Sequence, residues 1–435
     1  HASFMSLVLI VLIVSFVTLL AVNVPVAFAI GISTMLGILA TGELPAFLLV
    51  AQRMATGIDN FTLLAIPFFI LAGLLMGHGG IAQRLIDLAE VVVGRFRGGL
   101  AYVTVLTCML FGSVSGSAAA AVSSVGGFMV PVMNRRYTDP AFNASVIVTA
   151  STTGLLIPPS NIMIVYAAAT GGAVSIAAMF FAGIIPGLLV GLALMIVSSR
   201  GPLTVNGGVT TLGLRDAFVR LGRAFPALIM VVIVLGGIMF GIFTATEASA
   251  VAVIYALMLS IGLYREVSLR DLPALLLRCA VITSVVLLLV ATSTAMAWLL
   301  AYENIPQVLS AYLLGLSDNP LVILLVINLI MLTVGTVIDM TPAVLLFTPI
   351  FWPVILSLGI DPLHFGVMLI MNLCIGLCTP PVGTCLFLGC SVANTTVARM
   401  LPRLIPFYLA MILVLMVITY LPLVSVALPR WLGVS

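Results

Sequence analysis

The 435-residue chain contains no lysine, and all sixteen of its basic side chains are arginines. Charged residues make up only 7% of the sequence, whereas an ordinary soluble domain has about 25%. Hydrophobic residues make up 63%, and the mean hydropathy is +1.36. A water-soluble protein of this size could not bury so much apolar surface. The composition therefore excludes a soluble enzyme, a disordered chain and a secreted disulfide scaffold.

Other scarce residue types exclude further classes of function. Without lysine there is no P-loop, so the chain cannot be its own ATPase. A net charge of +3 is too small to indicate binding to nucleic acid. The three histidines lie away from the polar interruptions described below, which argues against an intramembrane enzyme. The six cysteines lie mostly in apolar segments, which favours reduced thiols with a structural role over disulfides or a metal site.

Long apolar runs predict a polytopic α-helical membrane protein, because the strands of outer-membrane barrels alternate apolar and polar residues. The candidate membrane spans are residues 5–22, 24–41, 61–77, 175–198, 224–242, 246–264, 277–300 and 404–428. The first run lacks a basic flank and a small-residue cleavage site, so we interpret it as a retained span. Amphipathic segments at 80–97, 200–223 and 265–278 are predicted to be interfacial helices on the cytoplasmic face.

Two further apolar regions, 99–172 and 320–395, are interrupted by Gly, Ser, Thr and Pro. They align without a gap at an offset of 222 residues, which places Pro158-Pro159 on Pro380-Pro381 and Asp139-Pro140 on Asp361-Pro362. This register predicts an internal duplication. Each Pro-Pro pair breaks a helix, and broken backbone at membrane depth is tolerated only within protein or beside a polar cavity.

The charges beside the two regions differ in sign, which predicts that the copies are inverted. Each copy is expected to begin with a re-entrant hairpin. The first is flanked by Arg95, Arg97, Arg135 and Arg136, and the second by Glu303, Asp318 and Asp361. By the positive-inside rule the first hairpin opens to the cytoplasm and the second to the opposite face. Inverted copies with broken helices at the midplane are typical of a secondary transporter. A channel is less favoured because the polar residues do not form a continuous path.

The interruptions predict a cation site and an anion site. Backbone carbonyls of 154–159 and 376–382 lie near the hydroxyls of Ser113, Ser115, Ser117, Thr336 and Thr379. Carbonyls and hydroxyls without a carboxylate suit a hard monovalent cation such as Na⁺, and helix N-termini can hold an anionic substrate. The alternative is that the small residues only allow close helix packing.

Two acids each have two interpretations. Asp339 lies in an apolar stretch, where it could line the substrate path, be protonated or help a cation site. The alternative is that Asp339 caps the next helix, since Thr341-Pro342 follows it. Glu247 follows Thr244 at the spacing of a capping box, and capping is the favoured interpretation there.

Several motifs in one order resemble the large membrane subunit of TRAP (tripartite ATP-independent periplasmic) transporters, over essentially the whole chain. They are Leu64–Gly73, Gly79-Gly80-Ile81, Ser115-Gly116-Ser117, Ile157–Ser160, Thr244–Ala248 and Thr379–Gly383. One departure is Ala245, where the family commonly has proline. The resemblance implies a multi-pass protein of the bacterial inner (cytoplasmic) membrane. It also implies an elevator-type fold, with a mobile domain that carries both hairpins and a fixed scaffold.

The resemblance also implies an activity. Family members are Na⁺-driven importers of organic acids such as C4-dicarboxylates, sialic acid and sugar acids, which a periplasmic binding protein delivers. A small four-helix membrane subunit accompanies the large one in the bilayer. We therefore expect two or more Na⁺ ions and no use of ATP. The alternative is a stand-alone elevator symporter of divalent anions or organic acids, coupled to Na⁺ or H⁺. The sequence does not name the substrate.

Carried over by position, the family's first Na⁺ site implies Ser115, Ser117, Gly154, Ile157 and Pro159, and its second implies Gly335, Thr336, Gly376, Thr379 and Val382. Asp339, Ser113, Ser160 and Asn161 are the expected substrate-binding residues. The predicted organisation is N-terminal scaffold helices (1–60), a first repeat (61–172) with hairpin 1 (about 99–133), scaffold helices and a connecting arm (173–276), a second repeat (277–395) with hairpin 2 (about 320–357), and a C-terminal helix (396–435).

Overall fold

A computed structural model describes residues 2–42, 45–78, 80–94, 96, 99–137, 139–200, 213–317 and 319–434. Within these ranges the chain is helical and contains no strand, which confirms the predicted all-α class. Of the residues used to predict orientation, Arg95, Arg97 and Asp318 lie outside the described ranges, as does Gly79 of the family motif.

The helices fall into four consecutive groups. The N-terminal group is α1 (Ala2–Ala21), α2 (Val26–Thr41) and α3 (Ala46–Ile58). The first repeat is α4 (Ala65–His78), α5 (Ile81–Val93), α6 (Gly99–Ser115), α7 (Ala118–Arg136), α8 (Pro140–Thr153), α9 (Asn161–Ala169) and α10 (Ile176–Ser198). The connecting pair is α11 (Leu214–Met239) and α12 (Ala245–Leu257). The second repeat is α13 (Leu272–Tyr302), α14 (Ile305–Leu316), α15 (Pro320–Gly335), α16 (Met340–Ser357), α17 (Pro362–Leu377), α18 (Thr384–Val392) and α19 (Val397–Tyr420), followed by α20 (Leu423–Trp431).

The duplication extends further than the two interrupted regions. The helix α10 matches α19 at the same offset, as α5 matches α14. The copies pack reciprocally: α9 of the first lies against α16 of the second, and α18 of the second against α7 of the first. The thiol of Cys374 donates to the carbonyl of Thr152 at 3.5 Å, a sequence separation of 222. Thr152 and Cys374 are therefore equivalent positions of the two copies. Two equivalent positions can contact each other only at the symmetry axis, so α8 and α17 cross at a pseudo-twofold axis.

Paired aspartates begin the two broken helices at opposite ends of the bundle. Asp139 accepts from the backbone N–H groups of Ala141 and Phe142 and caps α8, and Asp361 caps α17 through Leu363. Each carboxylate also pairs with a C-terminal arginine. Arg403 of α19 reaches Asp139 at 2.6 Å, and Arg430 of α20 reaches Asp361 at 3.2 Å. The helix α19 therefore crosses from the base of one hairpin toward the base of the other.

Seven described helices are long and apolar enough to cross a membrane. Six overlap predicted spans, and the seventh, Met340–Ser357, is the second helix of hairpin 2. The predicted span 404–428 was misplaced: α19 ends at Tyr420, before Pro422, and the short helix α20 follows. The segments 200–223 and 265–278 were predicted as separate interfacial helices. Residues 201–212 of the first segment lie outside the described ranges, whereas residues 214–223 and 272–278 form the first turns of α11 and α13, which continue into the apolar spans without a break.

The segment 173–276 was predicted to hold scaffold helices and a connecting arm, and its helices pack in two different places. The helix α10 lies against α6, α8 and α17, so it belongs to the central bundle with the hairpins and broken helices. The helices α11 and α12 pack against α5 and α4 at the outside. Arg84 pairs with Glu266 at 2.7 Å and Arg220 pairs with Glu90, so one end of this outer group is rich in charge.

Replacing Asp139 by Ala removes the cap of α8 and is expected to cost about 1–2 kcal/mol of stability. The ion pair adds little to that cost, because the Arg403 side chain is 53% exposed. Thermal unfolding in detergent measures the loss. Asp216→Ala is the matched control, since Asp216 lies in the first turn of α11 and is exposed. Equal melting temperatures for the two variants would contradict the capping role.

Candidate ion and substrate site

The candidate site lies where two hairpin tips meet two helix breaks. Tip 1 is 116–117, between α6 and α7, and break 1 is 154–160, between α8 and α9. Tip 2 is 336–339, between α15 and α16, and break 2 is 378–383, between α17 and α18. The Pro158-Pro159 and Pro380-Pro381 bonds are both cis. The structure therefore brings together, in two clusters, the residues that the sequence predicted for the two sites.

Glycines set how closely each hairpin approaches its broken helix. A Cβ added to Gly112 would lie 2.6 Å from the Cα of Gly154. In the second copy a Cβ on Gly376 would lie 2.5 Å from the carbonyl oxygen of Gly335. Neither distance is sterically possible, so the backbones cross directly, as small residues allow. Gly154, Gly335 and Gly376 thus have a packing role whether or not their backbone also binds an ion.

Two buried oxygen atoms at break 1 have no partner. The hydroxyl of Ser160 is fully buried, and neither it nor Oδ1 of Asn161 forms a hydrogen bond with any described residue. The amide nitrogen of Asn161 lies beside Gly116 of tip 1. An unsatisfied buried oxygen costs about 1–3 kcal/mol. These atoms therefore mark a place for a ligand that donates a hydrogen bond or carries positive charge.

The serines of hairpin 1 have different surroundings. Ser117 is the cap of α7, because its hydroxyl accepts from the N–H of Ala120 at 3.2 Å. Ser115 is buried, and its Oγ lies 3.4 Å from both the backbone nitrogen and the carbonyl of Ser117. Ser113 donates to the carbonyl of Leu110 at 2.8 Å, one turn earlier in α6. Each hydroxyl keeps lone pairs with which it could contact a cation.

The threonine hydroxyls of the second cluster also donate their protons to carbonyls of the preceding helical turn. Thr336 donates to the carbonyl of Thr333 at 2.8 Å, and Thr379 donates to that of Ile375 at 2.7 Å. The N–H of Val382 donates to the carbonyl of Thr336 at 3.0 Å, which fastens tip 2 to break 2. Both threonine oxygens therefore retain free lone pairs beside the point where tip and break meet.

The two breaks satisfy their carbonyls unequally. At break 2 the carbonyl of Gly376 accepts from the N–H of Thr379, and that of Thr379 accepts from Gly383. The carbonyl of Cys378 accepts from the hydroxyl of Tyr408 at 2.5 Å. At break 1 the carbonyls of Gly154 and Ile157 accept no hydrogen bond from the described residues. The carbonyls of break 1 are therefore hydrogen-bonded less fully than those of break 2.

Asp339 occupies the N-cap position of α16 but makes no side-chain capping bond. The interpretation of Asp339 as a cap is therefore wrong, whereas Ser117, at the equivalent position, does cap its helix. The carboxylate is exposed and has no ion-pair partner among the described residues. By contrast, the capping box of Thr244 and Glu247 is present as predicted.

A buried polar network behind break 2 was missed at the sequence level. Asn372 donates to the carbonyl and the side chain of Asn328 at 2.9 Å, and Asn328 donates to Thr419 at 2.9 Å. His364 reaches the carbonyl of Thr419 at 3.2 Å. The network joins α15, α17 and α19. Its signal in the sequence was two asparagines inside long apolar runs, which are costly in a membrane unless they are paired.

The six cysteines are free and buried, as expected for structural thiols. Cys374 and Cys378 donate to carbonyls of α8 across the axis, those of Thr152 and Val148. The described residues contain no group of His, Cys, Asp and Glu side chains that could hold a metal ion. The thiols therefore join the two repeats.

An all-helical bundle of inverted repeats, with re-entrant tips that meet broken helices, defines a multi-pass membrane transporter. The chain matches the family described as "Tripartite ATP-independent periplasmic transporter, DctM component" over residues 13–424, and it belongs to that family. It is therefore the large permease of a TRAP transporter, a multi-pass inner-membrane protein and not an enzyme. These findings confirm the family, class and location predicted from the sequence.

Three relatives illustrate the similarity. The chain is 46% identical to "Uncharacterized protein YgiK" of Salmonella typhimurium, covering 97% of each chain. It is 40% identical to the C4-dicarboxylate TRAP transporter large permease protein DctM of Pseudomonas aeruginosa, covering 87% of this chain and 88% of the relative. It is 39% identical to the sialic acid TRAP transporter large permease protein SiaM of Vibrio cholerae, covering 91% and 93%.

A solved structure supports the architecture at low sequence identity. The YdaH transporter of Alcanivorax borkumensis superposes with a TM-score of 0.58 at 14% identity, covering 86% of this chain and 87% of that one. At this identity the similarity concerns the fold alone.

Gly154→Ala is expected to destabilise the protein by about 1–3 kcal/mol, since the added methyl group would overlap the backbone of Gly112. Thermal unfolding in detergent measures the change. The matched control is Gly127→Ala in α7, because a Cβ there would meet nothing within 4 Å. If both substitutions had the same small effect, the close crossing of α6 and α8 would be disproved.

Proposed function

We propose that the chain imports an organic acid anion by coupling its uptake to Na⁺. The observation that carries this proposal is the pair of unpartnered buried oxygens, Ser160 Oγ and Asn161 Oδ1, at the junction of tip 1 and break 1. Oxygen atoms are the ligands that hard cations prefer, and bound Na⁺ would relieve the cost of leaving them unsatisfied. Ser115 and Ser117, with the backbone of Gly154, Ile157 and Pro159, would complete this first site.

A second Na⁺ would bind between tip 2 and break 2. The Thr336 and Thr379 oxygens supply lone pairs, and Gly335, Gly376 and Val382 supply nearby backbone. Because the carbonyls of Gly376 and Thr379 already accept hydrogen bonds, the hydroxyls would be the main ligands there. This distribution supports two sites of unequal composition.

The substrate would be an anion held without an arginine. The N-termini of α7, α9, α16 and α18 meet at the two tips and breaks, and each carries partial positive charge. The Ser160 proton and the Asn161 amide N–H groups would donate hydrogen bonds to the anion while their oxygens contact Na⁺. Ser113 would donate after turning its proton away from the carbonyl of Leu110, and Asp339 would face the same space. The relatives named for C4-dicarboxylate and for sialic acid support an organic acid as the substrate class.

Transport would follow an elevator mechanism. The central bundle, α6–α10 with α15–α20, would slide as one body, because α19 and α20 tie both broken helices together through Arg403 and Arg430. The outer helices, α1–α5 and α11–α14, would form the scaffold in the bilayer. A periplasmic binding protein would deliver the substrate, and a small four-helix membrane subunit would pair with the scaffold. The tripartite description of the family supports both partners.

Uptake is expected to require an inward Na⁺ gradient and the binding protein. The measurement is uptake of labelled organic acids into liposomes that contain this chain with its small subunit. Choline chloride replaces NaCl at constant ionic strength. Uptake driven by a proton gradient without Na⁺ or binding protein would overturn the proposal.

Ser160→Ala tests the first site directly. Removing an unpartnered buried hydroxyl should leave the Na⁺-free protein as stable or up to about 1 kcal/mol more stable. The same change should weaken the stabilisation that Na⁺ gives to the wild type, as measured by thermal unfolding at increasing NaCl. Ser123→Ala is the matched control, since Ser123 is exposed on α7 and bonds only the carbonyl of Ala119. An unchanged Na⁺ response in the Ser160 variant would remove this residue from the site.

Proton coupling is the second candidate, and the uncapped, unpaired carboxylate of Asp339 is the observation that favours it. In that case Asp339→Asn should abolish uptake driven by a pH gradient. If Na⁺ is the coupling ion, the same variant should still respond to a Na⁺ gradient. Comparing the two gradients in one preparation of liposomes separates these outcomes.

A further inference from the structure

One contact at break 2 has no counterpart at break 1. The hydroxyl of Tyr408 on α19 donates to the carbonyl of Cys378, at the point where α17 ends. Carbonyls in the last turn of a helix have no partner within it, so an outside donor is needed when they are buried. Cys378 is fully buried.

The peptide unit between Cys378 and Thr379 is held at both ends. Tyr408 holds its carbonyl, and its N–H, which belongs to Thr379, donates to the carbonyl of Gly376 at 2.9 Å. The hydroxyl of Thr379 is fixed in turn by the carbonyl of Ile375. The Cys378–Thr379 peptide plane is therefore held on both sides, and with it the backbone that carries the Thr379 side chain.

Break 1 lacks this arrangement. The equivalent of Tyr408 is Pro186 of α10, which has no donor, and the equivalent of Cys378 is Leu156. The carbonyl of Leu156 packs directly against Gly183 of α10 instead. Its peptide is thus held by close packing and not by a hydrogen bond.

We infer that Tyr408 is a positioning residue for the second cation site: it fixes the Cys378–Thr379 peptide, and with it the backbone that carries the Thr379 hydroxyl at break 2. This inference rests on the proposed Na⁺ coupling. It makes the second site preformed, whereas the first site is completed by its ligand.

Tyr408→Phe removes one oxygen atom and preserves the ring. The Na⁺ concentration for half-maximal thermal stabilisation, and for half-maximal uptake, should rise about tenfold, as the loss of one hydrogen bond to a buried carbonyl predicts. Maximal uptake at saturating Na⁺ should be retained. The matched control is Tyr255→Phe, because Tyr255 donates to the carbonyl of Pro226 at 2.8 Å between α12 and α11, away from both breaks.

Double variants identify which site is affected. Tyr408→Phe combined with Thr379→Ala should raise the half-saturating Na⁺ concentration by less than the product of the single effects, since both act on one ligand. Combined with Ser160→Ala the effects should multiply, as for independent sites.

The outcomes separate the two proposals. If the wild type shows no Na⁺ response, the proposed coupling is wrong, and the inference about Tyr408 is wrong as well. If the wild type responds but Tyr408→Phe behaves as Tyr255→Phe does, the positioning role alone is wrong. A lower melting temperature in Na⁺-free buffer with an unchanged Na⁺ half-saturation would show that Tyr408 only joins α19 to α17, and would also overturn the inference.

Discussion

The cost of unsatisfied backbone in a membrane governs this structure. Lipid offers no hydrogen bonds, so a helix can be broken at membrane depth only where protein or a polar cavity receives the freed groups. The chain breaks two helices with paired prolines and encloses each break with a hairpin tip. The direct crossings of Gly112 on Gly154 and of Gly335 on Gly376 bring the tips close enough to do this. Polar chemistry is thereby concentrated at two points in an otherwise apolar molecule.

The two repeats have the same fold but differ in how the freed backbone groups of their broken helices find hydrogen bonds. Three carbonyls of break 2 accept hydrogen bonds, from Thr379, Gly383 and Tyr408 of α19, and the N–H of Val382 fastens tip 2 to this break. Break 1 leaves the oxygens of Ser160 and Asn161 without partners. Ser117 caps its helix, whereas Asp339 does not. Among the described residues, the two breaks of the duplicated fold thus differ: one has most of its polar groups hydrogen-bonded, and the other keeps oxygens that could bind a ligand.

The C-terminal helices connect the halves mechanically. Arg403 holds the start of α8, Thr419 joins the polar network of Asn328 and His364, and Arg430 holds the start of α17. Because α8 and α17 begin at opposite ends of the bundle, α19 and α20 together run along the full height of the central bundle.

The amino-acid sequence alone predicts the membrane class, the duplication and the position of both breaks. These follow from local chemistry: apolar length, proline's missing donor and the register of the repeated Gly, Asp-Pro and Pro-Pro residues. It could also place the capping box at Glu247. Which polar atoms find hydrogen-bond partners depends on the packing of the folded chain. Tyr408 meets the carbonyl of Cys378, and Asn372 meets Asn328, through contacts distant in sequence, and the absence of a side-chain capping bond at Asp339 depends on what surrounds tip 2. Hydrogen-bond satisfaction belongs to the packed molecule, so no local pattern could reveal it.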